Sequence, residues 1–122
     1  MSKQIKYLIL IVTLALTTTL LLWPNFHPEQ KLLGHYYWQA DVLIHSGYFF
    51  GITLFILSLR LNIKSIYLFL FLGSFSIVME LLQHFSYKRG VSLMDAIDNL
   101  IGIGLALLVY GWIDQKWRTR RI

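Results

Sequence analysis

Ser65-Ile66-Tyr67-Leu68-Phe69-Leu70-Phe71-Leu72-Gly73-Ser74-Phe75-Ser76-Ile77-Val78-Met79 contains no charged residue, and from Tyr67 to Leu72 it is apolar at every position. A helix on the surface of a soluble domain keeps one polar face, and this run leaves none. The stretches Tyr7 to Trp23 and Val42 to Leu59 are likewise free of charge, and Ile97 to Ile113 holds only Asp98. Crossing hydrocarbon takes about 17–25 predominantly apolar residues. The chain therefore reads as an all-α polytopic membrane protein with four transmembrane helices in two hairpins, spanning about 7–23, 42–59, 65–82 and 97–113.

Working outward, the whole composition agrees. The chain has 122 residues, 57% apolar and 14% charged, with mean hydropathy +0.60. A soluble domain carries about a quarter charged residues. The skew excludes a disordered chain and argues against an ordinary water-soluble domain, and the length suits one domain, 1–122. Cysteine is absent, which removes disulfides, thiol catalysis and cysteine metal sites.

Net charge is +5, and its placement argues for topology rather than nucleic-acid binding. With four crossings, Lys3, Lys6, Arg60, Lys64, Lys116, Arg118, Arg120 and Arg121 share one side, eight of the eleven basic residues. Lys31, Lys88 and Arg89 lie on the other. The positive-inside rule puts both termini in the cytoplasm. The first stretch has a basic start but no small-residue cleavage site before Trp23 and Pro24, so it reads as a retained span. The loop Pro24 to Ala40, with Phe26, Tyr36, Tyr37 and Trp38, suits an interfacial anchor. Gln83 to Ala96 reads as a second outer loop, bending at Gly90.

The informative polar residues stand at span ends. Asp41 and His45 are four apart and stack on one helix face, as do Glu80, Gln83 and His84, and Asp95 with Asn99. Asp98 opens the fourth span beside them, and Arg89 lies in the loop. All three groups fall at the outer ends, while the cytoplasmic ends show only scattered basic residues and Asp114. Gly102 and Gly104, with Ala106, read as close-packing positions.

The stretch Asp41-Val42-Leu43-Ile44-His45 followed by Tyr48 and Phe49 resembles the first motif of the VanZ-like membrane proteins. Glu80-Leu81-Leu82-Gln83, then Arg89, Asp95, Asn99 and Gly102, is similar to that family's second motif. Together they cover residues 41 to about 110. Departures are Val42, where the family often has lysine, and Tyr48, displaced by one from the usual aromatic position. His84 and Asp98 lie outside the pattern. The resemblance implies a bacterial inner or plasma membrane protein of the cell envelope, of the kind linked to teicoplanin resistance.

From these residues the expected ligand set is Asp41, His45, Glu80, Gln83, Arg89, Asp95 and Asn99, in one cavity opening to the outer leaflet. The leading reading is binding or modulation of an anionic lipid or lipid-linked envelope component. Arg89 would clamp the anion while Gln83 and Asn99 hydrogen-bond it. A second reading is membrane-embedded acid–base catalysis on a lipid-linked substrate, with His45, Glu80 and Asp41 as candidates. A third is a non-catalytic scaffold subunit, with a membrane protein partner or a homo-oligomer. No cofactor is assigned. A metal held by His45, Glu80, His84 and Asp95 is open geometrically but not adopted, because the motif does not require His84.

The topology is testable with reporter fusions. A cytoplasmic-type reporter at Ile122 and extracytoplasmic labelling at Lys31 and Lys88 are expected; phosphatase activity at Ile122 would overturn the orientation.

Overall fold

The computed structural model describes residues 1–21, 37–87 and 93–120; the side chains at 21, 37–42, 83, 84, 86, 87 and 117–120 fall outside that description. Four α-helices account for nearly all of it: α1 (Lys3–Leu21), α2 (Tyr37–Ser58), α3 (Ser65–Tyr87) and α4 (Leu93–Arg120). Three are long and apolar enough to cross a membrane, over Lys3–Leu20, Ser65–Leu82 and Leu93–Lys116. In α2 the corresponding apolar stretch is shorter, Leu43–Ser58.

Outward faces are apolar on every helix. Leu8, Ile11 and Leu16 on α1, Leu43 and Phe55 on α2, Leu70 and Phe71 on α3, and Leu105 and Leu108 on α4 are all exposed. In water such surface would associate or aggregate; facing lipid, it needs no cover. Only 6% of the α1 apolar window is buried, against 33% in α3 and 28% in α4. Helix α1 is thus the peripheral element, and α2, α3 and α4 make the body.

Within that body, α4 is the centre. It packs most extensively on α2 and next on α3, whereas α1 meets α3 over a short length. The core comprises Phe49 and Ile56 of α2, Leu68, Leu72 and Met79 of α3, and Ile103 and Ala106 of α4. Ile9, Leu10 and Leu14 lay α1 against it. Buried hydroxyls are satisfied within their own helices: Thr53 donates to the Phe49 carbonyl, Ser76 to Gly73 and Thr17 to Thr13. The same back-bonding by Thr18 and Thr19 lets a threonine run sit in an apolar helix.

Glycine sets the spacing. A Cβ placed at Gly102 would collide with the backbone carbonyl of Ser46, so α2 and α4 touch almost backbone to backbone. Ala106, fully buried four residues on, continues the small face. At Gly73 an added Cβ would come to 2.9 Å from Leu100 Cδ2, bringing α3 close to α4 as well. Gly104 makes only an ordinary contact, 3.9 Å to Phe69. Of the three positions expected to pack closely, Gly102 and Ala106 do so and Gly104 is incidental.

Helices outrun the apolar stretches from which spans are read. Tyr37–Ala40, expected in the aromatic loop, are helical in α2, and Gln83–Tyr87 and Leu93–Ala96, expected in the second outer loop, belong to α3 and α4. Hydrophobicity ends where lipid would end, but backbone hydrogen bonding continues until a breaker intervenes, and neither segment holds glycine or proline. The rest of both loops, including Trp23, Pro24, Phe26, Tyr36 and Gly90, lies outside the described residues. Between α2 and α3, the turn Leu59–Lys64 reverses the chain through two left-handed residues, Arg60 (φ 52°) and Asn62 (φ 61°). Leu59 and Leu61 tuck it onto the core.

A prediction follows from the α2–α4 contact. Gly102→Ala should destabilise the protein in detergent by about 1–3 kcal/mol, because the backbones must separate. Gly47→Ala, where an added Cβ meets nothing within 4 Å, should be neutral or slightly stabilising. Equal thermal unfolding of the two variants would refute the close approach.

Candidate functional site

On each body helix the buried face runs at three- and four-residue spacing and turns polar toward the same end. In α3 it passes Leu68, Leu72, Ser76 and Glu80; in α4 it passes Ala106, Ile103, Asn99 and Asp95. In α2 it runs Ile56, Thr53, Phe49 and then His45. Four polar groups are thereby carried to one place by three helices. The Gly102–Ser46 contact lies next to it, since Ser46 follows His45 and Gly102 is less than a turn from Asn99.

His45 is the hub. Its Nδ1 lies 3.2 Å from Asn99 Oδ1 and 3.9 Å from Glu80 Oε1. Its Nε2 lies 3.9 Å from Asp95 Oδ2. The groups around it are buried: Glu80 is 8% exposed, Asp95 5% and Asn99 2%. One donor atom from each of His45, Glu80 and Asp95 falls within 4.8 Å of the others. Asp95 sits in the first turn of α4, where the helix dipole favours a carboxylate.

Four expected residues, His45, Glu80, Asp95 and Asn99, are therefore brought together. Asp41 and Gln83 are placed on α2 and α3, one turn from His45 and close to Glu80 in sequence, with their side chains outside the description. Arg89 lies outside the described residues, and so does the side chain of His84. Asp98, given little weight in the sequence, is only 5% exposed. It lies three residues from Asp95 on the same helix.

The opposite end is less plain than its sequence suggests. A cavity of about 490 Å³ opens there, lined by Arg60, Asn62, Ser65, Tyr110, Asp114 and apolar neighbours. Residues that looked scattered are gathered by the Leu59–Lys64 turn against α4. Spacing gave no signal, because the turn and Tyr110 are far apart in the chain. Near the end of α4, Lys116 Nζ lies 4.0 Å from the Trp112 ring centroid.

The arrangement can bind a cation between an imidazole and two carboxylates, or orient a polar headgroup through an amide and an imidazole. The His45–Asn99 contact is the checkable unit. Replacing both by alanine in a double-mutant cycle of thermal stability should show coupling of about 0.5–2 kcal/mol. Additivity of the two single changes would mean that the contact does not exist.

Comparison with known proteins adds no relative: no family model, no curated protein and no solved structure matches the chain.

Proposed function

We propose that this protein is a four-span membrane protein that binds or modulates an anionic lipid or lipid-linked envelope component through the His45 cluster. The observation that carries the reading is the convergence of His45, Glu80, Asp95 and Asn99 from three helices into a buried polar site. Glu80 and Asp95 each lie within two residues of the edge of their apolar windows, Ser65–Leu82 and Leu93–Lys116. That is the depth of lipid headgroups, not of the hydrocarbon centre. Buried ionisable groups at such a position are costly to keep and mark function more often than in water. A site with polar groups inside and apolar helix flanks outside suits an amphiphile, with its head in the cluster and its tail along the helices.

Arg89, Gln83 and Asp41 complete the proposed site. Arg89 supplies the charge an anion needs, since Glu80 and Asp95 alone would repel it. The basic residues support an orientation with both termini cytoplasmic and the cluster at the outer leaflet of a bacterial inner or plasma membrane. The VanZ-like resemblance rests on the two motifs alone and points to the cell envelope and a glycopeptide-resistance type of role. A second reading, acid–base catalysis on a lipid-linked substrate, draws on His45 standing 3.9 Å from a carboxylate on either side.

Native mass spectrometry of the purified protein tests the proposal with phosphatidylglycerol against phosphatidylcholine. Preferential retention of the anionic lipid is expected, with at least a tenfold loss in Arg89→Ala and Gln83→Ala at unchanged protein abundance. No preference between the lipids, with variants that lose only abundance, would replace binding by a scaffold role. Chemical conversion of a bound lipid that stops in His45→Ala would replace it by catalysis.

A further inference from the structure

We infer that His45, Glu80 and Asp95 form a site for one divalent transition-metal ion of the zinc or manganese type. The inference rests on the same cluster proposed above as the headgroup site, and it names what sets that site's charge.

Three features of the geometry point to an ion. First, the donors come from three helices rather than from one face, so they surround a point instead of lining a surface. All three donor atoms lie within 4.8 Å of one another. Around a four-coordinate ion with bonds of about 2.0–2.2 Å, neighbouring ligands stand roughly 3.3 Å apart. Glu80 Oε1 stands 3.9 Å from Nδ1 and Asp95 Oδ2 stands 3.9 Å from Nε2, so an ion on one ring nitrogen has one carboxylate already beside it and the other must rotate toward it. Second, a carboxylate pair with one imidazole is a mixed oxygen and nitrogen donor set. Calcium and magnesium prefer all-oxygen sites, whereas imidazole suits zinc; manganese is favoured by the two carboxylates rather than by the imidazole.

Third, Asn99 acts as an orienting neighbour. Histidine ligands use one ring nitrogen for the metal and donate the other N–H to a nearby oxygen, which fixes tautomer and ring plane. Asn99 Oδ1, 3.2 Å from Nδ1, occupies that accepting position and is itself 2% exposed. With Nδ1 donating to Asn99, the nitrogen that would face the ion is Nε2, 3.9 Å from Asp95 Oδ2. Asn99 is thus a positioning residue, held by the same face of α4 that carries Gly102.

Three protein ligands leave a fourth position open. An ion there adds two positive charges to a site with two carboxylates, and its open position accepts a phosphate or carboxylate oxygen. The two carboxylate charges are thereby neutralised, and the open coordination position supplies the attraction for an anionic headgroup.

Chain purified without a polyhistidine tag, treated with chelator and exchanged into detergent micelles should be titrated with Zn²⁺ and Mn²⁺, with metal content measured after gel filtration. One ion per chain is expected, together with a rise in unfolding temperature through preferential binding to the native state. Binding should weaken at least tenfold in Glu80→Gln, Asp95→Asn and His45→Ala, about tenfold in Asn99→Ala, and not at all in Asp114→Asn. The Co²⁺-loaded protein should show visible absorption of a four-coordinate nitrogen–oxygen site that disappears in His45→Ala. A wild-type chain that takes up no stoichiometric ion at millimolar metal overturns the inference without recourse to any variant. So does uptake that survives all three ligand changes. Anionic-lipid retention by ion-free wild-type protein that cannot be loaded removes the metal and leaves the lipid reading standing. Ion uptake without lipid retention does the reverse.

Discussion

The approach of Gly102 to the Ser46 carbonyl is the contact on which the site depends. Without hydrophobic driving force between helices in lipid, association relies on close van der Waals packing and interhelical polar contacts. A glycine on α4 opposite the α2 backbone permits both at once. It lets the two helices meet closely, and it sets Asn99 within 3.2 Å of His45. The Gly73–Leu100 contact brings α3 to the same central helix, and Glu80 arrives with it. Had the α2–α4 distance been that of leucine packing, the polar groups would face one another across a gap.

A consequence is that core and site share a face. Phe49, Thr53 and Ile56 continue the line begun by His45, and Leu72 and Ser76 the line that ends at Glu80. Buried apolar contacts hold the helices in register, and the polar ends inherit that register. The hydroxyls along these lines bond to their own helices and so take no part in the cluster. Along these lines, among the described residues, the polar contacts between helices gather at the His45 end.

Much of this was legible in the residues. Charge-free runs gave the helices, and the four-residue steps from Asp95 to Asn99 and from Asp41 to His45 gave shared faces. Which positions would meet across helices was only partly visible: Glu80 and Asp95 stood out as acids at span ends, whereas the burial of Asp98 did not. The helix ends were hidden because apolar character stops before hydrogen bonding does, so Tyr37–Ala40 and Gln83–Tyr87 read as loop. The cavity between Arg60 and Asp114 was hidden for a different reason. It is made by a tight turn with two left-handed residues, and left-handed backbone at an arginine has no sequence signature.

The central claim is that His45, Glu80 and Asp95 meet at one point, and the absence of cysteine from the chain makes a direct measurement clean. Paired substitutions His45→Cys with Glu80→Cys, and His45→Cys with Asp95→Cys, should each be bridged within one chain by a short bifunctional thiol-reactive alkylating reagent. His45→Cys with Tyr110→Cys should not, since Tyr110 lies about 22 Å along α4 from Asp95 at ~1.5 Å per residue. Mass spectrometry of the digested product reads the result. Bridging of both cluster pairs and not of the distant pair is the expected outcome; bridging of neither cluster pair, or of all three alike, would contradict the convergence.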